Sequence, residues 1–142
     1  MTDWGEVLIS GLSYSGGVGN VSKTTQYLSQ PVKANGLVNR SNGQHTLQVH
    51  CINFTGNIQI EATLSKDPTV GPWVVIPLTN TMNNQVTTAI NLSFAPEVPE
   101  LPPSIPTVNF NQFYSIVGQY AWIRANVTNI LSGSVELVKL GF

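Results

Sequence analysis

The sequence predicts an all-β fold, an antiparallel β-sandwich of jelly-roll-like form with about eight strands, and three observations carry that prediction. Apolar and polar residues alternate with period two over several short runs. β-branched Thr, Val and Ile dominate those runs, and no window holds apolar residues at helical spacing for three turns. Turn-rich stretches such as Asp67-Pro68-Thr69 and Gly71-Pro72 break the runs apart.

Residues 45–52 place Leu47, Val49 and Cys51 on one face and Thr46, Gln48 and His50 on the other, the pattern of a half-buried strand. Residues 57–64 repeat it, with Ile58, Ile60, Ala62 and Leu64 inward and Gln59, Glu61 and Thr63 outward. With Asn53 to Gly56 between them, the two runs are expected to pair as a hairpin. Further strands are expected at 73–78, 85–92, 112–117, 120–128 and 134–142, with a weaker one at 26–33.

Two stretches depart from the alternation. Residues 1–25 are expected to form an N-terminal arm, because Gly11, Gly16, Gly17 and Gly19 sit among Ser, Asn and Thr. Such an arm is expected to be removable without loss of the β fold. Residues 26–142 then make a single sandwich domain, interrupted by a proline-rich loop at 94–111. There Pro96, Pro99, Pro102, Pro103 and Pro106 favour extended polyproline backbone that no central strand accepts. Val98, Leu101 and Ile105 in that loop are candidate contacts to a neighbouring protein, or they pack back onto their own domain.

Composition narrows the function classes. The 142 residues suffice for one domain with one core. Charged residues are only 9% against about 25% in ordinary soluble domains, so Asn, Thr, Ser and Gln must hydrate the surface, as in a chain built into an assembly. The six cations Lys23, Lys33, Arg40, Lys66, Arg124 and Lys139 are scattered and the net charge is -1, which argues against nucleic acid as a partner. No stretch approaches the length of an apolar membrane span, and acids stand where a secretory signal has cations, so no membrane partner and folding in the cytoplasm are expected. The single Cys51 excludes an internal disulfide framework and reads as a small buried hydrophobe.

Reactive constellations are missing from the sequence. His45 and His50 are separated by an odd interval, which sends them to opposite faces of one strand, so they cannot share a metal there. Glu97 and Glu100, three apart in the proline-rich loop, read as solvated charges. Ser15-Gly16-Gly17-Val18-Gly19 lacks the Lys-Ser/Thr ending of a phosphate loop. Asn-x-Ser/Thr sequons, among them those at Asn20, Asn53, Asn91 and Asn126, carry little weight without a secretory signal. No enzyme activity, catalytic residue, metal site or cofactor is therefore expected. Tyr120, Trp122 and Arg124 share one face of their expected strand with Asn126 and form the candidate interface, either for a sugar or for a protein. The alternative is a core Trp with Arg124 reaching to the rim. Trp73, after Pro72, reads as an aromatic plug at the end of the sandwich.

The segment from Phe54 to Pro68 followed by Pro72-Trp73-Val74-Val75-Ile76 resembles a unit of small jelly-roll proteins of tailed bacteriophages and of discoidin-like galactose-binding folds. The stretch from Tyr120 to Ile130, followed by Ser132 to Leu137, looks like the closing strands of the same group. The resemblance covers about the last two thirds of the chain and implies a virion structural protein, of the capsid decoration or cement type. Its implied partners are the major capsid protein or other virion proteins together with further copies of itself, as a dimer or trimer. The implied location is the virion, assembled in the host cytoplasm. A neck, tail or fibre component and a free carbohydrate-binding module are the alternatives. The lectin function of the resembling group does not carry over, since no carboxylate cluster suited to calcium is present.

Overall fold

Two strands of 20 residues each, far longer than the sequence pattern suggests, organise the chain. The computed structural model describes residues 5–13, 26–34, 44–93 and 109–141. In chain order the strands are β1 (Gly5–Ser13), β2 (Gln26–Leu28), β3 (Val32–Lys33), β4 (Gln44–Thr63), β5 (Val74–Val75), β6 (Leu78–Asn80), β7 (Val86–Thr87), β8 (Ile90–Leu92), β9 (Asn109–Val117) and β10 (Trp122–Gly141). Every pairing is antiparallel, and all ten strands belong to one hydrogen-bonded sheet. The all-antiparallel β class holds. Among the described residues the pairing closes neither a barrel nor an eight-strand jelly roll, because β4 and β10 each run through two limbs of the sheet.

The expected hairpin between residues 45–52 and 57–64 does not form. Both runs belong to β4, and both pair with β10, from Gly141 opposite Thr46 to Trp122 opposite Thr63. The two expected strands at 120–128 and 134–142 are likewise the two halves of β10. Asn53 (φ 49°) on β4 and Asn129 (φ 54°) and Gly133 (φ 74°) on β10 adopt left-handed backbone where the ladder slips. Thr128 faces Asn57 and Ser132 faces Thr55, so four steps along β10 match two along β4. Extra residues of this kind bend a strand without reversing it. Both strands therefore bend at the same level, and the Gly133 backbone lies so close to Asn53 that an added Cβ would stand 2.0 Å from the Asn53 carbonyl oxygen.

The bend divides the sheet into two limbs. In the first, β1, the end of β10, the start of β4, β9, β6 and β7 lie side by side. In the second, the start of β10 and the end of β4 are flanked by β2 and β3 on one edge and by β5 and β8 on the other. Leu47, Val49, Cys51, Val135 and Val138 of the first limb and Ile58, Ile60, Ile123 and Val127 of the second are fully buried in one common core. The period-two reading of residues 45–52 and 57–62 assigned Leu47, Val49, Cys51, Ile58 and Ile60 to the core as the structure has them, whereas Val135 and Val138, three apart, both reach it because the ladder slips between Val135 and Leu137. Leu64, expected inward, is 74% exposed because β4 ends at Thr63 and the alternation stops with it. Glu61 and Thr63, expected outward, are buried by neighbours on the second face.

Segment 26–34 crosses the edge of β10 as a strap. Pro31 removes a donor between β2 and β3, and Ser29 bridges the gap: its amide donates to the Ala125 carbonyl at 2.9 Å and its hydroxyl accepts from the Ala125 amide at 2.8 Å. Gly5–Ser13, expected as part of the arm, form β1 along β10 from Gly141 to Ser134 and bury Leu8 and Ile9 in the core. Deleting residues 1–25 therefore removes a strand of the sheet. Residues 14–25 lie outside the described residues. So do 94–108, which hold Val98, Leu101 and Ile105, while Asn109–Asn111 of the expected loop are the start of β9.

The bend yields a paired prediction. Gly133→Ala introduces both a left-handed strain and a clash with backbone, and should destabilise the fold by roughly 3 kcal/mol or more. Gly11→Ala, at φ 77° on edge strand β1 with nothing within 4 Å of the added Cβ, should cost only about 1 kcal/mol by the left-handed penalty alone. Urea denaturation of both variants checks it, and equal losses would contradict the coupling of the two bends.

Candidate functional site

The outer face of the second limb gathers most of the polar and aromatic residues singled out in the sequence. β10 sends Ile123, Ala125 and Val127 into the core, so Trp122, Arg124 and Asn126 stand on the opposite face. The register sets Arg124 directly across from Glu61 and Trp122 across from Thr63. Arg124 Nε donates to Glu61 Oε1 at 2.7 Å, with the two side chains only 21% and 12% exposed. Asn126 Nδ2 donates to Glu61 Oε2 at 3.1 Å, and Gln26 Nε2 donates to Asn126 Oδ1 at 3.2 Å. One carboxylate thus receives a donor on each oxygen, and the chain of bonds ties β2, β10 and β4 together.

Two tryptophans border this network. Trp73, delivered by a turn with a cis Gly71-Pro72 peptide, lies under the Arg124 guanidinium at 4.2 Å from ring centroid to Cζ. Trp122 donates its indole N–H to the Lys66 carbonyl at 3.0 Å, and the Lys33 ammonium stands 6.0 Å above its ring. The turn that carries Lys66 is closed by Asp67, whose carboxylate accepts from the Thr69 hydroxyl at 2.6 Å and from its amide at 2.9 Å. Those bonds, the side-chain one foremost, hold the Asp67 carboxyl below its usual range.

Tyr120 is not part of this face. It precedes β10, packs against the core and donates its hydroxyl to the Val117 carbonyl at 3.4 Å. Its ring instead lines an open groove of about 630 Å³ with Ala62, Leu64, Pro72, Val74 and Pro77. The structure therefore brings Trp122, Arg124 and Asn126 together and sets Tyr120 at a separate, apolar site. Glu61, Gln26 and Trp73, which complete the polar network, follow only from the pairing of β10 with β4 and with β2 and from the turn before β5, none of which is visible in local pattern. The groove residues Leu64 and Val74, 74% and 61% exposed, have no polar signature that would single them out.

Chemistry of other kinds finds little support in the geometry. Among the described residues no three His, Cys, Asp or Glu side chains cluster in a way that could hold a metal ion. His45 is buried on the core side of β4 while His50 faces outward, where its Nε2 lies 3.3 Å from Asn109 Oδ1. Among the described residues no helix is long and apolar enough to cross a membrane. Cys51 is fully buried, and burial foremost, with the nearby Glu136 carboxylate second, pushes its thiol up to about 12.

The fold and this face define an all-antiparallel β protein whose charged and aromatic groups bond to one another. No protein-family model matches the sequence, and no curated protein matches it either. Among solved structures, the crystal structure of the SPBc2 prophage-derived protein YomS is similar to this one, with a TM-score of 0.59 over 96% of this chain and 89% of that chain. The two sequences are 9% identical, so the likeness is one of fold.

Two predictions arise from this face and the core beneath it. Arg124→Ala leaves a largely buried carboxylate with one donor fewer and uncovers Trp73; unfolding free energy should fall by about 2 kcal/mol. A double-mutant cycle with Glu61→Gln should show that the two effects are not additive, whereas additive losses would mean the pair is solvated. A thiol reagent at about pH 8 should leave Cys51 unmodified in the folded protein and label it once denaturant is added. Rapid labelling without denaturant would contradict the burial.

Proposed function

We propose that the chain is a non-enzymatic structural protein of a tailed-phage virion, and within the virion a capsid decoration protein that bridges shell subunits. The observation that carries this reading is the distribution of reactive and sticky groups. Polar and charged side chains of the candidate face bond to one another, whereas apolar side chains stand exposed around a groove and on strand edges. A surface of that kind offers area for burial and few groups for chemistry. Support also comes from the fold likeness to a protein described as prophage-derived.

The action follows from mass action. A module that binds the assembled shell better than its free subunits stabilises the shell, and several modest contacts held in one oligomer gain from effective concentration. The low charge of the chain suits this role, since long-range repulsion between densely arrayed copies is weak. A carbohydrate platform finds less support, because Arg124 covers a face of Trp73 and Lys33 stands over Trp122.

Immunogold electron microscopy of particles made by the genome that encodes this chain tests the proposal. Label distributed over the head is expected. Label confined to the neck or tail would refute decoration while keeping a virion role, and the absence of label on accessible epitopes would refute both.

A further inference from the structure

The apolar groove lies at one end of the molecule and the proline-rich segment issues from the other. Two short connections locate the groove. Only Ile76 and Pro77 separate β5 of the second limb from β6 of the first, and only residues 118–121 join β9 to β10, so the limb ends meet there and Tyr120, Ile76 and Pro77 line the groove between them. The opposite end is the bend at Asn53 and Gly133. Segment 94–108 is tied to that end on both sides: Leu92 of β8 pairs with Gly56, and Asn109 of β9 pairs with Ile52.

Reach decides whether the segment can occupy the groove of its own chain. From Gly56 to Ala62 is roughly 20 Å along a strand, and from Asn109 to Val117 roughly 26 Å. Even fully extended, the sixteen steps from Ser93 to Asn109 span about 55 Å. An excursion of roughly 46 Å out and back leaves too little of that to lay Val98, Leu101 and Ile105 along the groove. A second copy faces no such limit, because its bend end can approach the open end of the first.

The chemistry of the two surfaces matches. Leu64, Pro72, Val74, Pro77 and Tyr120 line the groove with apolar side chains, of which Leu64 and Val74 are well exposed. The segment carries five prolines, which have no N–H to satisfy, with Val98, Leu101 and Ile105 spaced between them. Proline-rich chains dock in such aromatic- and apolar-lined grooves and lose little backbone entropy on binding.

We propose that the groove is the receptor for segment 94–108 of a second copy of this chain, giving a head-to-tail contact between protomers. The contact deepens the assembly reading above and rests on it for its biological setting. Like any heterologous contact it propagates to a ring when the rotation closes.

Sedimentation of the full-length chain tests it with two variants. Leu64→Asp with Val74→Asp alters side chains that are already exposed, and Leu101→Asp with Ile105→Asp alters the segment. The wild type should self-associate, and each variant alone should sediment as a monomer with an unchanged denaturation midpoint. An equimolar mixture should give heterodimers and nothing larger, because the first variant retains a segment and the second retains a groove. A monomeric wild type, oligomers indifferent to both variants, or monomeric variants that fail to form heterodimers would each overturn the proposal. A virion location that fails in microscopy leaves this readout untouched, so the two readings fall separately.

Discussion

The continuous pairing of β4 with β10 is the constraint on which the rest of the structure depends. Each strand serves two limbs, so one register sets which residues face the common core in both. A slip of one residue would turn Leu47, Val49, Ile58 and Ile60 outward together with Ile123, Val127, Val135 and Val138. The bend has to coincide on the two strands for that register to survive, and Asn53 beside Gly133 is where it does. The short strands add to this frame: β2 and β3 lean on β10, β5 and β8 on β4, each through two or three residue pairs. Such strands owe their order to the ribbon they flank, since isolated pairs of that length are marginal in water.

The faces of the strands were legible in the sequence because burial follows a period of two whatever the strands pair with. Leu47, Val49 and Cys51, then Ile58, Ile60 and Ala62, are inward as their alternation implied. Continuity was not legible. Asn53-Phe54-Thr55-Gly56 carries the residues of a reversing turn, and a bulge that merely bends a strand uses the same left-handed Asn and the same small residues. Local chemistry does not distinguish a reversal from a bend; only the partner strand does, and the facing part of β10 lies about eighty residues away in sequence, a separation no local pattern reports. The same long-range register hides the Glu61–Arg124 pair, since placing residues 57–64 against 45–52 puts Glu61 in solvent. Residues 5–13 were concealed differently: Gly11 and the serines around them resemble a flexible linker, while Leu8 and Ile9, with Leu12 packed against the core, supply the apolar anchor.

The polar face of the second limb illustrates how a chain with few charges uses them. Burying a carboxylate is costly unless its oxygens are bonded, and Glu61 has Arg124 on one and Asn126 on the other. Stacking on Trp73 removes more water from the guanidinium and strengthens the pair electrostatically, at the cost of desolvating it. The balance gives geometric specificity more than net stability: β2, β4 and β10 can align in only one way that satisfies Gln26, Asn126, Glu61 and Arg124 together. Groups committed to this alignment are poor candidates for recruiting a ligand, because a ligand must replace bonds that already exist.

Association is therefore better driven from the open end of the ribbon, where the side chains have no such commitments. Leu64 and Val74 gain little from the fold they sit on, so burying them against a partner is nearly all surplus. The bend gives the molecule a polarity that bears on what kind of assembly results. In the proposed head-to-tail contact the two surfaces differ, so a closed two-fold dimer formed by one self-complementary patch is not its natural product. Edge pairing through β1 is a weaker route, because the slip between Val7 and Ile9 breaks the regular run of backbone groups that a second sheet would need. A donor in which five of fifteen residues are prolines offers few consecutive amide protons to a sheet edge, so assembly by the proposed route does not depend on the edge-to-edge pairing that grows without control.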